Sequence, residues 1–347
     1  MKRLAQVIGC AVALGVTLAM AGCTEPGTTP SGDSTLSAPS DTASVTPTPT
    51  ESGGASDLPT PFITEPPAST NLDGVDATGA FGEAPELTVP WPWAIDSTQT
   101  KILVQGDGPT VPTGGIVQVN YLGMNGRTGT IFDQSYPNGY PVSFSLAQVV
   151  PGFQKGLAGQ KVGTRLIIAM PGADGYDASG GQSSAGIEIG DTLVFVVDIV
   201  RTQFMQPTGA IQVINDPSLP VVSDDLNAPT ITMPQGVTPP TTLQAVTLIE
   251  GVGEPVESYD SIYVNYAEYI WDTGKMVRQT YGFSPLNGAL SSTLPGWQQA
   301  LVGKTIGSRL LLVVPPQLSY PQGYPKMNIP QGSTMVYVID ILYASAS

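Results

Sequence analysis

The sequence predicts an α+β fold used twice in tandem, each copy an antiparallel sheet wrapped around one short helix. The stretch VVPGFQKGLAGQKVGTRLIIAMP, Val149 to Pro171, returns as TLPGWQQALVGKTIGSRLLLVVP, Thr293 to Pro315, 144 residues later. Pro, Gly, an aromatic, Gln, then Leu, Gly, Gly, Arg, Leu and Pro recur at matching places, so a duplicated unit is the economical explanation. The period is far above that of solenoid repeats, which makes each copy a complete domain. Within a copy, strand-length apolar runs outnumber helical patterns, and only one short segment reads as helix. The 347 residues leave room for two domains of ordinary size.

Composition removes several functions. The net charge is −15 with only 12% charged residues, a balance that repels phosphate backbones and argues against nucleic acid as a partner. Histidine is absent, which removes histidine triads, imidazole general bases and the commonest metal ligand. No cofactor and no metal are expected. Cys10 and Cys23 are the only cysteines, and neither is placed to staple a domain, so both cores depend on apolar burial.

Lys2-Arg3 followed by an apolar run from Leu4 to about Ala21 reads as a signal peptide over residues 1–22, with an apolar core short for a membrane span. Two cleavage readings stand. Ala21-Gly22-Cys23 resembles the bacterial lipobox, with Met20 where that motif usually has leucine, and implies lipidation of Cys23 and a membrane anchor on the extracytoplasmic side. Ala19-Met20-Ala21 fits ordinary secretion. Residues 23–83 are rich in Ser, Thr, Pro, Gly and Asp and poor in large apolar side chains, so they read as a disordered tether.

The first domain is expected over 84–204. Thr100 to Val104 is a strand candidate, and Gly106-Asp107-Gly108-Pro109 is a turn by chemistry. Ile116 to Leu122 alternates as a half-buried strand does, with a hairpin tip at Gly123 to Arg127. Ile131-Phe132-Asp133 and Val142 to Leu146 follow, the latter with Phe144 as a core residue. Pro151 stands where a first-turn proline is tolerated, and Leu166 to Met170 is an apolar run of strand length. A Gly/Ser-rich loop, Gly172 to Gly186, leads to the last strand, Thr192 to Arg201.

The words VNYLGMNGRTGTIFDQS, VVPGFQKGLAGQKVGTRLIIAMPGADGYD and GIEIGDTLVFVVDIV resemble the FKBP-type peptidyl-prolyl cis-trans isomerases, in that family's order and spacing. The resemblance implies a pocket from Tyr121, Phe132, Asp133, Val149, Val150, Tyr176, Ile187 and Phe195, with Phe153 where the family commonly has a tryptophan floor. It implies that aromatic walls enclose a proline ring, that the Val150 amide and Tyr176 hydroxyl bind substrate carbonyls, and that Asp133 polarises the site. The partners it implies are proline-containing unfolded or exported polypeptides and macrolide inhibitors.

The second domain is expected over 217–347, after a polar, proline-bearing connection. It keeps Tyr266, Leu294, Trp297, Tyr320 and Tyr337 at pocket-equivalent places. Val277-Arg278 replaces Phe132-Asp133, and Asn328-Ile329-Pro330 stands where the first copy has Ile187. This copy is expected to be weak or inactive, binding chain or buttressing its neighbour. The leading function is an exported, membrane-anchored prolyl isomerase that assists folding. Its rival is a non-catalytic lipoprotein that uses both folds as protein-binding modules.

Overall fold

The structure is a computed structural model and describes residues 66–346. The signal segment, Cys10, Cys23 and the tether as far as residue 65 lie outside the described residues.

A two-stranded hairpin comes first, β1 (Asp76–Thr78) against β2 (Glu86–Thr88). The first sheet is built from β3 (Gln99–Val104), β4 (Ile116–Asn125), β5 (Ile131–Gln134), β6 (Val142–Ser145), β7 (Arg165–Met170) and β8 (Leu193–Thr202). Its order is β3-β7-β8-β4-β5, with β6 also pairing β4, and every pairing is antiparallel. Helix α1 (Pro151–Leu157) lies on one face. Its proline fills the first turn, and the chain turns away at Gly159, whose φ of 82° a side-chain-bearing residue rarely adopts.

Strand β7 is buried at every position, because both faces of the sheet are covered. Leu166, Ile168 and Met170 join Phe153, Leu157, Phe195 and Val197 in the core under α1. Ile167 and Ala169 join Val194 and Val196 in a second core on the other face, closed by Val75, Val89, Trp93 and Ile95. This corrects the expected tether of 23–83. Residues 66–83 are part of the fold: Val75 is buried, and Ser69 bridges Ile95. A few well-spaced apolar residues suffice, where the average composition suggests none. The strap is also pinned by a buried ion pair. Arg165 donates to Asp198 at 2.6 and 2.7 Å and to the carbonyls of Gly79 and Glu83 at 2.7 Å each.

The second sheet repeats the plan. After β9 (Gly209–Ile211), β10 (Val221–Val222) and β11 (Ile231–Thr232) come β12 (Gln244–Gly251), β13 (Asp260–Ile270), β14 (Met276–Gln279) and β15 (Leu286–Ala289). Helix α2 (Pro295–Leu301), β16 (Arg309–Val314) and β17 (Met335–Ala346) complete it. The sheet order is β14-β13-β17-β16-β12-β9, with β15 on β13. The β10–β11 hairpin and Leu219, Met233 and Val237 cover its outer face, and Arg309 pairs with Asp340 while holding the carbonyls of Asp225 and Leu226. The expected boundary at 217 also shifts. Strand β9 belongs to the second sheet, and the Phe204 amide bonds the Leu342 carbonyl at 2.8 Å while its ring packs on the second core.

Candidate functional site

The α1 side of the first sheet brings the expected residues together. Tyr121 comes from β4, Phe132 and Asp133 from β5, and Phe195 from β8. Val149 and Val150 lead into α1, which carries Phe153. Tyr176 and Ile187 come from the loop between β7 and β8. Phe153, Ile187 and Phe195 are buried and form a floor. Tyr121, Phe132, Val149, Val150 and Tyr176 are half-buried around it, one side on the core and the other on solvent.

The floor is set by aromatic geometry. Phe195 is the hub, 4.7 Å from Phe153, 5.5 Å from Phe132 in an edge-on contact, and 6.4 Å from Tyr121, all between ring centroids. Phe144 supports Phe153 from behind at 5.7 Å, the core role expected of it. The Tyr121 hydroxyl donates to Asp133 Oδ2 at 2.5 Å, and Asp133 Oδ1 accepts the Gln134 amide at 2.9 Å. Burial pushes the Tyr121 hydroxyl well above the usual phenol range, and its bond to Asp133 adds to the shift. Burial raises Tyr176 as well, with the Asp133 charge contributing. Both phenols are therefore protonated donors at neutral pH. The Val150 carbonyl starts the helix by accepting from Phe153, while the Val150 amide makes no backbone hydrogen bond among the described residues.

One determinant escaped the sequence reading. Gly123 faces the same side of β4 as Tyr121 and pairs with Asp133 on one neighbour and Phe195 on the other. A Cβ there would lie 2.7 Å from the rings of both Phe132 and Phe195, closer than real Cβ contacts allow.

The corresponding place in the second sheet is filled by different chemistry. Glu268 pairs with Arg278 and Tyr337, the ladder position that Gly123 holds between Asp133 and Phe195. Glu268 is fully buried, and it accepts from the Tyr337 hydroxyl at 2.8 Å and from Arg278 Nε at 2.6 Å. Arg278 lies over the Tyr266 ring, 5.4 Å from its centroid, and also donates to the Tyr320 hydroxyl at 3.2 Å. Burial works against the Arg278 charge, but Glu268 holds the guanidinium above its ordinary pKa. Trp297 packs edge-on against Tyr266 and Tyr337, with Leu294 beside it. The five residues expected here do converge, but around an ion pair. Ile329 is buried in the same core, as Ile187 is in the first domain. Comparing VNYLG with VNYAE across the repeat would have revealed the exchange.

Among the described residues no group of three or more Cys, Asp or Glu side chains is placed to hold a metal ion. The first cluster therefore offers a buried apolar floor, hydroxyl and amide donors beside it and one carboxylate. Such a site is suited to enclosing a small apolar ring while bonding the carbonyls beside it, which defines a class of peptide-binding, non-nucleophilic sites. The model of the FKBP-type peptidyl-prolyl cis-trans isomerases matches residues 108–200 and 253–342, more than half of the chain, and the chain belongs to that family. An FK506-binding protein of Streptomyces anulatus is 36% identical over 120 residues, 34% of this chain and 96% of that protein. A probable FK506-binding protein of Corynebacterium glutamicum is 32% identical over 118 residues, 34% of this chain and 98% of its own. A probable FKBP-type peptidyl-prolyl cis-trans isomerase of Neisseria meningitidis is 40% identical over 105 residues, 30% of this chain and 37% of that protein.

Proposed function

We propose that the chain isomerises Xaa-Pro bonds of exported polypeptides at the hollow of its first domain, held to the membrane through a lipid on Cys23. The observation that carries the catalytic part is the part-buried aromatic cluster around Phe195, flanked by the Tyr121 and Tyr176 hydroxyls. Amide resonance sets a barrier of about 18–20 kcal/mol and makes Xaa-Pro exchange take tens to hundreds of seconds. No bond to a substrate atom breaks, so neither a nucleophile nor a general base is needed. As the amide twists it loses resonance and charge separation, so a site that strips water from its carbonyl favours the twisted form over the planar one. Phe132, Phe153 and Phe195 would enclose the ring. The Val150 amide and Tyr176 hydroxyl would bond the flanking carbonyls, and Asp133 orients the Tyr121 hydroxyl. Each ~1.4 kcal/mol of preferential stabilisation is tenfold in rate.

The test is isomerisation of a prolyl tetrapeptide by the full chain, with FK506 as inhibitor. Asp133→Leu and Tyr176→Phe should each lower the rate while leaving circular dichroism unchanged; full activity in both would remove this site. Membrane anchoring rests on the lipobox-like Ala21-Gly22-Cys23, and acyl labelling lost in Cys23→Ser would support it. The second domain supports a different reading for itself: with Glu268 and Arg278 in its hollow, it acts as a buttress or chain-binding module.

A further inference from the structure

We propose that one ladder position, Gly123 in the first sheet and Glu268 in the second, decides whether a copy of this fold presents an open prolyl site. The proposal rests on the reading of the first hollow as the isomerase site. Each residue is flanked by the same two strands in the same register: Gly123 by Asp133 and Phe195, Glu268 by Arg278 and Tyr337. In the first copy the missing side chain lets the edges of Phe132 and Phe195 reach the strand, and a Cβ would sit 2.7 Å from each ring. Neither ring is the free end of a flexible chain. Phe195 is wedged against Phe153 at 4.7 Å and Phe132 against Phe195 at 5.5 Å, so an added methyl would displace the floor.

In the second copy the neighbours are matched to the larger residue. Val277 replaces the ring of Phe132 and makes room. Tyr337 replaces Phe195 and supplies the hydroxyl that Glu268 Oε1 accepts at 2.8 Å. Arg278 replaces Asp133 and supplies the counter-charge at 2.6 Å. A carboxylate buried to this extent is tolerated only when it is paired and hydrogen-bonded. The four residues therefore form one set, and Glu268→Gly alone would leave the buried Tyr337 hydroxyl without its acceptor and Arg278 without its counter-charge. The set places an ion pair over the strand position that Gly123 leaves without a side chain in the first copy, so the second copy takes neither a prolyl ring nor a macrolide.

The full chain should bind one FK506 per molecule by titration calorimetry; two would overturn the proposal. Gly123→Ala, with its melting temperature within a few degrees of the wild type, should lose at least tenfold in prolyl-peptide isomerisation and in FK506 affinity; wild-type values in that folded variant would overturn it. Conversely, Glu268→Gly, Val277→Phe, Arg278→Asp and Tyr337→Phe combined in an Asp133→Leu background should raise FK506 affinity at least tenfold over that background. A folded combined variant that binds no more FK506 than its parent would overturn the proposal. A wild-type chain that neither isomerises nor binds FK506 would sink the isomerase reading and this proposal together, whereas an active wild type indifferent to Gly123→Ala sinks this proposal alone.

Discussion

The Arg165–Asp198 pair offers the sharpest separation of stability from activity. Both side chains are almost wholly buried, 1% and 0% exposed, and the guanidinium uses Nε and both terminal nitrogens on Asp198, Gly79 and Glu83. Asp198 also accepts the Gly82 amide at 2.7 Å and the Tyr136 hydroxyl at 3.1 Å. Arg165→Met keeps the apolar volume but leaves a buried carboxylate with neutral donors only, and two strap carbonyls without a partner. Removing one member of such a pair costs about 3–5 kcal/mol. Against the roughly 5–15 kcal/mol of a typical domain, that is a large fraction. Urea unfolding followed by tryptophan fluorescence reads it directly, because Trp93 lies under the strap. The double variant Arg165→Met with Asp198→Leu should recover most of the loss, since no charge is then left buried. Asp198 lies on the strap side of β8, whereas Phe195 lies on the α1 side. Isomerase rate per folded molecule should therefore stay at the wild-type level. A single-variant loss under about 1 kcal/mol, or a double variant as unstable as the sum of its parts, would refute the reasoning.

The remaining predictions concern pH. Burial raises the Tyr121 and Tyr176 hydroxyls above the usual phenol range, so both stay protonated donors as pH passes the ordinary phenol pKa of about 10. Any loss of isomerisation rate from these donors, followed by exchange NMR while the protein remains folded, should have its midpoint above pH about 10, and a midpoint at or below it would contradict them. On the acid side, burial alone would raise Asp191, but Arg127, the Glu188 amide and Asn125 outweigh it and hold its carboxyl below the usual carboxylate range. A carboxylate lowered on folding stabilises above its unfolded pKa and ceases to as pH falls through its folded one. Protection factors of the amides in the 182–191 loop should therefore fall as pH drops below about 4, and Asp191→Asn should lower them in the same loop at neutral pH. Identical protection in the variant would refute the anchor.

The tandem architecture was legible because its signals are local and repeated. Pro151 and Pro295 open helices where a missing amide has no partner to lose, and the apolar runs after them are strands whose length alone tells them from helices. The aromatic cluster was legible through its ordered motif words, which bring Tyr121, Phe132 and Phe195 together from three strands. The strap was not, since its apolar residues, Leu72, Val75 and Ala77, are too sparse to stand out in a Ser/Gly/Asp-rich stretch. A physical signal did exist. Arg165 to Met170 and Arg309 to Val314 are apolar on both faces, and a sheet flanked by one helix needs cover on only one. Apolar side chains on the second face demanded a second cover, and the nearest unassigned chain lay immediately upstream.

Divergence between the copies follows a physical division. Residues that hold the sheet together persist: Arg165 with Asp198 and Arg309 with Asp340, each pinning two strap carbonyls. The Asn120–Ser135 contact that orients the Tyr121 amide returns as Asn265–Thr280 on Tyr266, at nearly the same distances. Each of these groups is buried or part-buried and hydrogen-bonded, so changing one alone leaves a partner unsatisfied. The rings of the first site are freer, because their contacts are apolar packing, which tolerates replacement when neighbours change in concert, and the one hydrogen-bonded member, Asp133, changes along with them. Gly123, Phe132, Asp133 and Phe195 stand opposite Glu268, Val277, Arg278 and Tyr337 across the repeat, and the four differ together as one set. The second copy therefore differs at these positions while keeping the pairs that hold its sheet, and its buried carboxylate stands with its partners Arg278 and Tyr337.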